Sequence, residues 1–189
     1  MTEDRPLVRF LKRICQKNLT GSKNLIMPSY LDGNTLKKSL SREGFFALNL
    51  NITTIFDLAR DYCDDYISKN RLKILDNSLG QIFLLQILKK LSREKLLNYF
   101  QPPTFSPGIC RSIYLAIKEL RIAEFSSRNF PQSAITNPKK SEDLLKIMQE
   151  YEKTLKEQNY IDEADIYLQA IKYMKKNQPK KGYSLCPLI

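Results

Sequence analysis

The chain contains no histidine, and its four cysteines are widely separated. Without histidine, the chain by itself cannot form a histidine-ligated zinc site, a histidine-based triad or a histidine general base. The cysteines are Cys15, Cys63, Cys110 and Cys186, with no Cys-x-x-Cys pair among them. This spacing favours buried thiols over a four-cysteine metal cluster. The sequence therefore predicts no metal site and no cofactor.

Long apolar runs are also missing. No segment approaches the ~20 apolar residues that a transmembrane helix needs, and residues 1–13 mix acids with bases where a secretory signal would be apolar. Glycine is scarce, with six residues in 189, while 42% of the chain is hydrophobic and 27% is charged. This composition is typical of a globular protein. We therefore expect a cytoplasmic protein with no membrane partner.

The charge of the chain has one predominant sign. The formal net charge is +11, from 31 basic and 20 acidic residues. Lysine and arginine bind phosphates and release counterions, so an excess of them favours nucleic acid as a partner. The alternative is a solvated, lysine-rich surface without a specific ligand.

Two segments in the first third of the chain each show a short apolar strand that leads into a helix. Residues 24–27 and 48–52 have the strand pattern, and helices are expected over 35–42 and from Thr54 through Tyr66. Gly44 suits the position just after the first of these helices, and Thr54-x-x-Asp57 is a capping pattern for the second. The sequence predicts an α/β part with a short, mostly parallel sheet.

The remaining pattern is helical throughout. An amphipathic helix over 6–16 precedes the strands, and helices opened by Ser78, Ser141 and Asp162 are expected after them. Apolar stripes over 82–91 and at Ile109, Ile113, Ile117 and Leu120 indicate buried faces. We predict a partial α/β subdomain over 1–68, an all-α subdomain over 69–176 and a frayed tail over 177–189, so that the chain is mainly helical overall.

Four phrases carry a family resemblance. They are Leu25-Ile-Met-Pro-Ser-Tyr30, Ile52-Thr-Thr-Ile-Phe-Asp-Leu-Ala59, Ile117-Lys-Glu-Leu-Arg-Ile-Ala-Glu124, and the stretch from Tyr151 that ends in Asn159-Tyr-Ile-Asp-Glu-Ala-Asp-Ile166. Together they resemble the N-terminal region of superfamily 1 helicases of the UvrD/RecB type. The resemblance extends to the B subunit of AddAB-type helicase/deoxyribonucleases and its PD-(D/E)XK-nuclease relatives, over about residues 20–172.

The resemblance implies a chain built from parts of helicase domains 1A and 1B, with DNA across the face that carries the first two phrases. It implies that the α/β part is similar to a P-loop NTPase but lacks the P-loop. It implies a role in double-strand-break repair and recombination beside an AddA-like motor subunit. The chain departs from the family pattern in lacking Gly-x-x-x-x-Gly-Lys-Ser/Thr, a Walker B carboxylate pair and a nuclease motif. Gly21-Ser22-Lys23 is similar to part of the phosphate loop in residue types but does not form the full motif. We therefore expect no ATP hydrolysis and no DNA cleavage by this chain.

Polar groups where the predicted strands end are the candidate DNA-binding residues. They are Ser29, Tyr30, Thr53 and Thr54, joined by Lys37, Lys38 and Arg42 on the helix that follows the first strand. Tyr30 offers a ring on which a base can stack. Helix capping is the alternative role for the hydroxyls, and solvation is the alternative for the cations.

Three functions follow from these residues. The first is a non-catalytic DNA-binding or scaffolding segment, and the second is a helical protein-interaction module. The third, a small enzyme, would need chemistry from carboxylates, lysines or tyrosines alone. The closest carboxylates in sequence, Asp162, Glu163 and Asp165, are better explained by capping of the last helix.

Overall fold

The computed structural model describes residues 6–17, 19–101 and 105–177, and these residues are mainly helical, as predicted. The helices are α1 (Pro6–Lys17), α2 (Tyr30–Arg42), α3 (Ile55–Lys69), α4 (Asn77–Arg93), α5 (Pro107–Ile122), α6 (Pro138–Glu157) and α7 (Glu163–Lys176). The strands are β1 (Lys23–Ile26), β2 (Leu50–Thr53), β3 (Lys73–Ile74) and β4 (Tyr160–Ile161), and Gln132–Ala134 forms a 3-10 turn. The chain divides into two compact units between Asp61 and Tyr62, inside α3. Of the tail predicted over 177–189, residues 178–189 lie outside the described residues.

In the first unit, β1 and β2 form a parallel pair. Lys23 lies opposite Leu50, and the register continues to Ile26 opposite Thr53. The predicted strand over 48–52 begins later than expected, since Leu48 is 65% exposed and lies outside the ladder. Apolar side chains of α1, β1, α2 and β2 form one core: Val8, Leu11, Cys15, Leu25, Leu36, Leu40 and Leu50. The sheet therefore packs through these strand residues against the two helices.

Helix α2 begins at Tyr30, well before the predicted start at residue 35. Ser29 has an extended backbone, with φ −145°, and its side chain accepts the N–H of Asp32 at 3.2 Å, which caps the helix earlier than the apolar spacing indicated. The helix also contains Gly33 where it crosses β2, because a Cβ atom there would lie 2.9 Å from Ile52 Cδ1. At the other end, Gly44 has φ 71° and follows the helix, as predicted.

The second unit has its own, larger core. Helices α4, α5 and α6 supply most of it, including Leu84, Leu88, Ile117, Ile147, Met148 and Tyr151, each at most 2% exposed. Strand β3 pairs in parallel with β4, with Lys73 opposite Tyr160. Each strand has only two residues, which is too short to produce a periodic pattern.

Two predicted helix starts in the second unit are wrong. Helix α4 is capped by Asp76, which accepts the N–H groups of Ser78 and Leu79, so Ser78 is inside the helix. Helix α6 is capped by Asn137 and has Pro138 at its first position, where a missing N–H costs nothing. Ser141, the predicted cap, is instead buried at 3% exposure. In both cases a second capping residue a few positions earlier begins the helix.

The predicted apolar stripes are mostly buried, with Leu85 and Leu120 half-buried and two positions exposed. Ile82 is 51% exposed and Ile109 is 47% exposed, so the buried faces of α4 and α5 are narrower than the stripes indicated. Cys15, Cys63 and Cys110 are free and buried, as expected, whereas Cys186 lies outside the described residues. Among the described helices, none has the combination of length and apolar character needed to cross a bilayer.

Candidate nucleic-acid interface

The carboxyl ends of β1 and β2 lie side by side because the two strands are parallel and in register. Each strand is followed at once by a helix, so the N-termini of α2 and α3 are adjacent to this edge. The structure therefore brings Ser29, Tyr30, Thr53 and Thr54 to one edge of the sheet, which we call the strand-end rim. This is the placement that the repeated strand-to-helix pattern indicated.

A hydrogen bond joins the two helix starts at the rim. The Tyr30 hydroxyl donates to Asp57 Oδ2 at 2.8 Å, and Thr54 Oγ1 donates to the same oxygen at 2.6 Å. The Asp57 N–H donates back to Thr54 Oγ1 at 3.1 Å, which is the predicted cap of α3. The two donated hydrogen bonds, that from Thr54 first, lower the pKa of Asp57. The bond to the Asp57 carboxylate raises the pKa of Tyr30.

The rim hydroxyls are already engaged within the protein. Ser29 Oγ donates to Asp32 Oδ2 at 2.6 Å, and the half-buried Thr53 hydroxyl donates to the Thr54 carbonyl at 3.3 Å. Asp32 and Asp57 place carboxylates in the first turns of α2 and α3, where a bound anion would otherwise find positive helix ends. The geometry of the hydroxyls thus matches the alternative, helix capping. The Tyr30 ring stays 49% exposed while its hydroxyl is fixed by Asp57.

The predicted cations lie together on the outer face of α2. Lys37, Lys38 and Arg42 line a shallow surface depression with Asn34 and Ser41. The opposite face of the helix is buried through Gly33, Leu36 and Leu40. Within the described part of the chain, Lys37, Lys38 and Arg42 form no ion pair. We call these three residues the α2 cation row.

The rim and the cation row are separate features. Because an α-helix rises ~1.5 Å per residue, Lys38 lies ~12 Å along the axis from Tyr30, and Arg42 lies ~18 Å from it. One extended polyanion is long enough to contact both, whereas a single phosphate is not. The arrangement suits an extended ligand that meets an exposed ring at one end of α2 and positive charge at the other.

The second unit contains a buried ionic cluster that the sequence did not reveal. Arg121 is only 7% exposed, and its guanidinium contacts three carboxylates. It binds Asp162 at 2.7 Å, Asp165 at 2.9 Å and Glu152 at 3.2 Å. The Tyr151 ring lies 5.8 Å from the guanidinium carbon. We call these residues the Arg121 cluster, and it lies where the two resemblance phrases of the second unit meet.

Protonation in this cluster is set by burial and by the neighbouring charges. Burial and the charge of Asp162 raise the pKa of Asp165 to about 6, against the opposing effect of Arg121. Burial by itself lowers the pKa of Arg121, but the hydrogen bonds and charge of Asp162 outweigh it and raise that pKa. Burial raises the pKa of Tyr151. Arg121 therefore stays charged and Tyr151 stays neutral at physiological pH.

The acidic cluster predicted at Asp162, Glu163 and Asp165 has structural roles. Asp162 caps α7 by accepting the Asp165 N–H at 3.0 Å, as predicted, while also binding Arg121. Glu163 binds Lys118 at 2.6 Å. In the parts of the chain that the structure describes, no group of three or more acidic, cysteine or histidine side chains is placed to hold a metal ion.

A second buried carboxylate was also missed. Asp143 is fully buried on α6 and accepts the N–H groups of Asn98, Tyr99 and Phe100 at 2.7–3.0 Å. It therefore satisfies the backbone of the segment after α4. Asp143 and the N–H groups that it accepts are separated by 43–45 residues along the chain. No local sequence pattern indicates a hydrogen bond over such a separation.

No family model matches this chain, and a search of curated proteins finds no match to it. The geometry of the rim, the cation row and the Arg121 cluster is therefore the basis for assigning a function.

Proposed function

We propose that this chain is a non-catalytic segment of an AddB-like helicase/nuclease subunit. In this role it binds DNA or holds it beside an AddA-like motor subunit, during double-strand-break repair in the cytoplasm. The observation that carries the DNA-binding part of the proposal is the α2 cation row, in which Lys37, Lys38 and Arg42 share one exposed depression without ion-pair partners among the described residues. The AddB-like identity and the motor partner rest on the resemblance of the four sequence phrases. Unpaired cations on one helix face suit phosphate contacts that are independent of base sequence.

The exposed Tyr30 ring supports the same function. The hydrogen bond to Asp57 fixes the hydroxyl and limits the motion of the side chain, so a base that stacks on the ring meets a pre-positioned surface. Stacking on one aromatic side chain contributes ~1–3 kcal/mol per base and tolerates any base. Ring and cation row together favour single-stranded nucleic acid over a small ligand.

The test is a titration of the full chain with a fluorescent single-stranded oligonucleotide at low and moderate salt, with and without ATP. The variant Lys37→Ala/Lys38→Ala/Arg42→Ala removes the row. The matched control, Lys69→Ala/Lys89→Ala/Arg111→Ala, removes the same charges from exposed helix positions elsewhere. For the wild type we expect micromolar, ATP-independent binding whose affinity falls steeply with salt.

The row variant should bind more weakly, and the slope of log K against log salt should become shallower by ~2, since each single-strand phosphate contact contributes about −0.7. The control should keep the wild-type slope. Equal losses in both variants would mean that only the net charge matters, which contradicts a site on α2. Absence of binding at low salt would contradict the DNA-binding proposal as a whole.

A protein-interaction module is the second candidate, favoured by an apolar depression in the second unit. Ala116 and Leu120 on α5 line it with three further apolar residues and two charged ones, Ala123, Ile135, Leu144, Glu119 and Lys140. Docking there would change little with salt, because apolar contacts are not screened. Salt-insensitive binding of an AddA-like subunit that Leu120→Asp abolishes and the row variant retains would favour this function.

A further inference from the structure

A cleft in the second unit opens next to the Arg121 cluster. Its lining combines the end of α5, the turn that follows, α6, β4 and α7: Arg121, Ser126, Arg128, Glu152, Leu155, Lys156, Tyr160, Asp165 and Lys172. Four of these nine residues are cations and two are carboxylates. The proposed DNA contacts on α2 do not involve this cleft.

The carboxylates of the cleft are already bound to groups of the protein. Glu152 Oε1 accepts from Arg121 Nη1 at 3.2 Å and from the Ser127 N–H at 3.0 Å, and Glu152 Oε2 accepts from Ser127 Oγ at 2.6 Å. Asp165 Oδ2 lies 2.9 Å from Arg121 Nη2. The acids thus serve to hold the buried guanidinium and the turn, and their oxygens face those partners.

The cations at the mouth of the cleft have no such partners. Arg128, Lys156 and Lys172 line the cleft, and within the described residues none of them forms an ion pair. Tyr160, which also lines the cleft, has the ammonium of Lys73 5.8 Å from the centre of its ring. The three lining cations come from three separate segments of the chain that converge on one place.

The charges of the site do not cancel. With its carboxylates ionised, the Arg121 cluster carries two more negative charges than positive, from Glu152, Asp162 and Asp165 against Arg121. The three lining cations, Arg128, Lys156 and Lys172, exceed this by one. Like charges brought together on a concave surface repel one another, and an anion in the cleft relieves that repulsion.

We propose that this cleft binds a phosphate group. A phosphate offers several acceptor oxygens and up to two negative charges, which match several converging ammonium and guanidinium donors better than a single carboxylate does. The group can belong to a nucleic-acid backbone or to a free phosphorylated molecule. In the first case the proposal rests on the DNA-binding function above, and in the second it is independent of that function.

The test follows backbone amide signals of the full chain by NMR during a titration with inorganic phosphate, with sodium chloride adjusted to hold the ionic strength constant. The amides of Ser126, Arg128 and Tyr160 report on the cleft. The variant Lys156→Ala/Lys172→Ala removes two of its cations. The control Lys153→Ala/Lys175→Ala removes the same charge from the same two helices, three residues away along each and outside the cleft.

We expect saturable shifts of the cleft amides in the wild type and in the control. In the cleft variant the affinity should fall about tenfold or more, since each charge-assisted hydrogen bond lost contributes about that factor. Shifts that grow linearly without saturating would overturn the proposal. So would equal weakening in both variants, because it would reduce the effect to net charge. The amide spectra also show directly whether each variant is folded.

A second titration with a twelve-nucleotide thymidine oligonucleotide identifies the source of the phosphate. Saturable shifts of the cleft amides that inorganic phosphate reverses by competition would support a backbone phosphate. Phosphate binding without any oligonucleotide effect on these amides would support a free phosphorylated ligand. The Lys37→Ala/Lys38→Ala/Arg42→Ala variant should keep the phosphate response, so failure of the α2 interface and failure of the cleft give different results.

Discussion

Arg121 and Asp162 form a two-bond ion pair across 41 residues of chain, with Nε 2.7 Å from Oδ2 and Nη2 3.2 Å from Oδ1. The fork of the guanidinium matches the carboxylate, and both side chains are buried, at 7% and 9% exposure. Because Asp162 also caps α7, this one carboxylate ties the end of α5 to the start of the last helix. The pair thus holds together the elements beside the cleft for which we propose phosphate binding.

Replacement of Arg121 by methionine should strongly destabilise the second unit. It leaves the carboxylates of Asp162, Glu152 and Asp165 without their cation, and breaking a buried pair in this way costs ~3–5 kcal/mol. Urea unfolding monitored by circular dichroism measures the change. The control Arg111→Met lies on the exposed face of the same helix, where we expect a change within ~0.5 kcal/mol. Similar stabilities for the two variants would show that the cluster is not structural.

Asp143→Asn should weaken the segment after α4. An asparagine keeps the shape but loses one carboxylate oxygen and the charge that accepts the N–H groups of Tyr99 and Phe100, at an expected cost of ~1–3 kcal/mol. Hydrogen exchange of those two amides should become faster. Glu142→Gln, on the adjacent exposed residue, is the matched control and should leave their exchange unchanged.

Gly33→Ala should destabilise the first unit by ~1–3 kcal/mol, which is the usual cost of overpacking. The added methyl group would overlap the Ile52 side chain on β2, where α2 crosses the sheet. Gly108→Ala is the control, because the nearest atom to its added methyl group, Ser106 Oγ, is 3.9 Å away. Thermal unfolding that ranks the two variants the other way would contradict the close approach of α2 and β2.

Thr54→Ala should remove the cap of α3 and cost ~1 kcal/mol. It also deprives Asp57 of the stronger of its two donors at the rim, so the pKa of Asp57 should rise from its lowered value. Thr54→Ser keeps the hydroxyl and should keep both properties close to wild type. Carboxyl NMR signals and urea unfolding provide the two measurements. If the pKa of Asp57 rose as much in Thr54→Ser as in Thr54→Ala, the Thr54 hydroxyl would not be the cause of the lowered pKa.

The raised pKa of Asp165 should make stability fall as pH rises. The folded protein holds this proton up to about pH 6, whereas an unfolded aspartate releases it near its ordinary value of 3.8. The folded state therefore binds more protons in that window, and the contribution of Asp165 declines from about pH 4 to pH 6 and is constant above it. The side chain is 39% exposed, so solvent reduces the size of the effect. The free energy of unfolding of the wild type and of Asp165→Asn should be measured across this range. The difference between the two should change with pH from about pH 4 to pH 6 and stay constant above it.

Local patterns in the sequence located most helices and several of their ends. The amphipathic α1, Gly44 after α2, Thr54 before α3 and Asp162 before α7 were all predicted, because each depends on residues within one or two turns. The same patterns failed where two caps compete. Asp76 and Asn137 begin their helices before Ser78 and Ser141 do, and spacing alone did not rank them.

The candidate site was only partly open to prediction. The strand-end rim follows from two strand-to-helix units in a row, and the α2 cation row follows from helical spacing. The cleft beside Arg121 could not be inferred, since its cations come from the end of α5, the turn after α5, α6 and α7. Each of these residues, taken alone in the sequence, has the pattern of a solvated surface charge.

The sequence by itself determined the helical character, the basic charge and, through the lack of histidine, which kinds of chemistry the chain cannot perform. The tertiary structure decided which polar groups are buried and which partners they have, as for Arg121 with Asp162 and for Asp143 with the backbone at Tyr99. The physical reason is the separation along the chain between the groups that interact. Caps and amphipathic faces form between neighbours along the chain, whereas buried charges need partners brought from tens of residues away by the packing of a core.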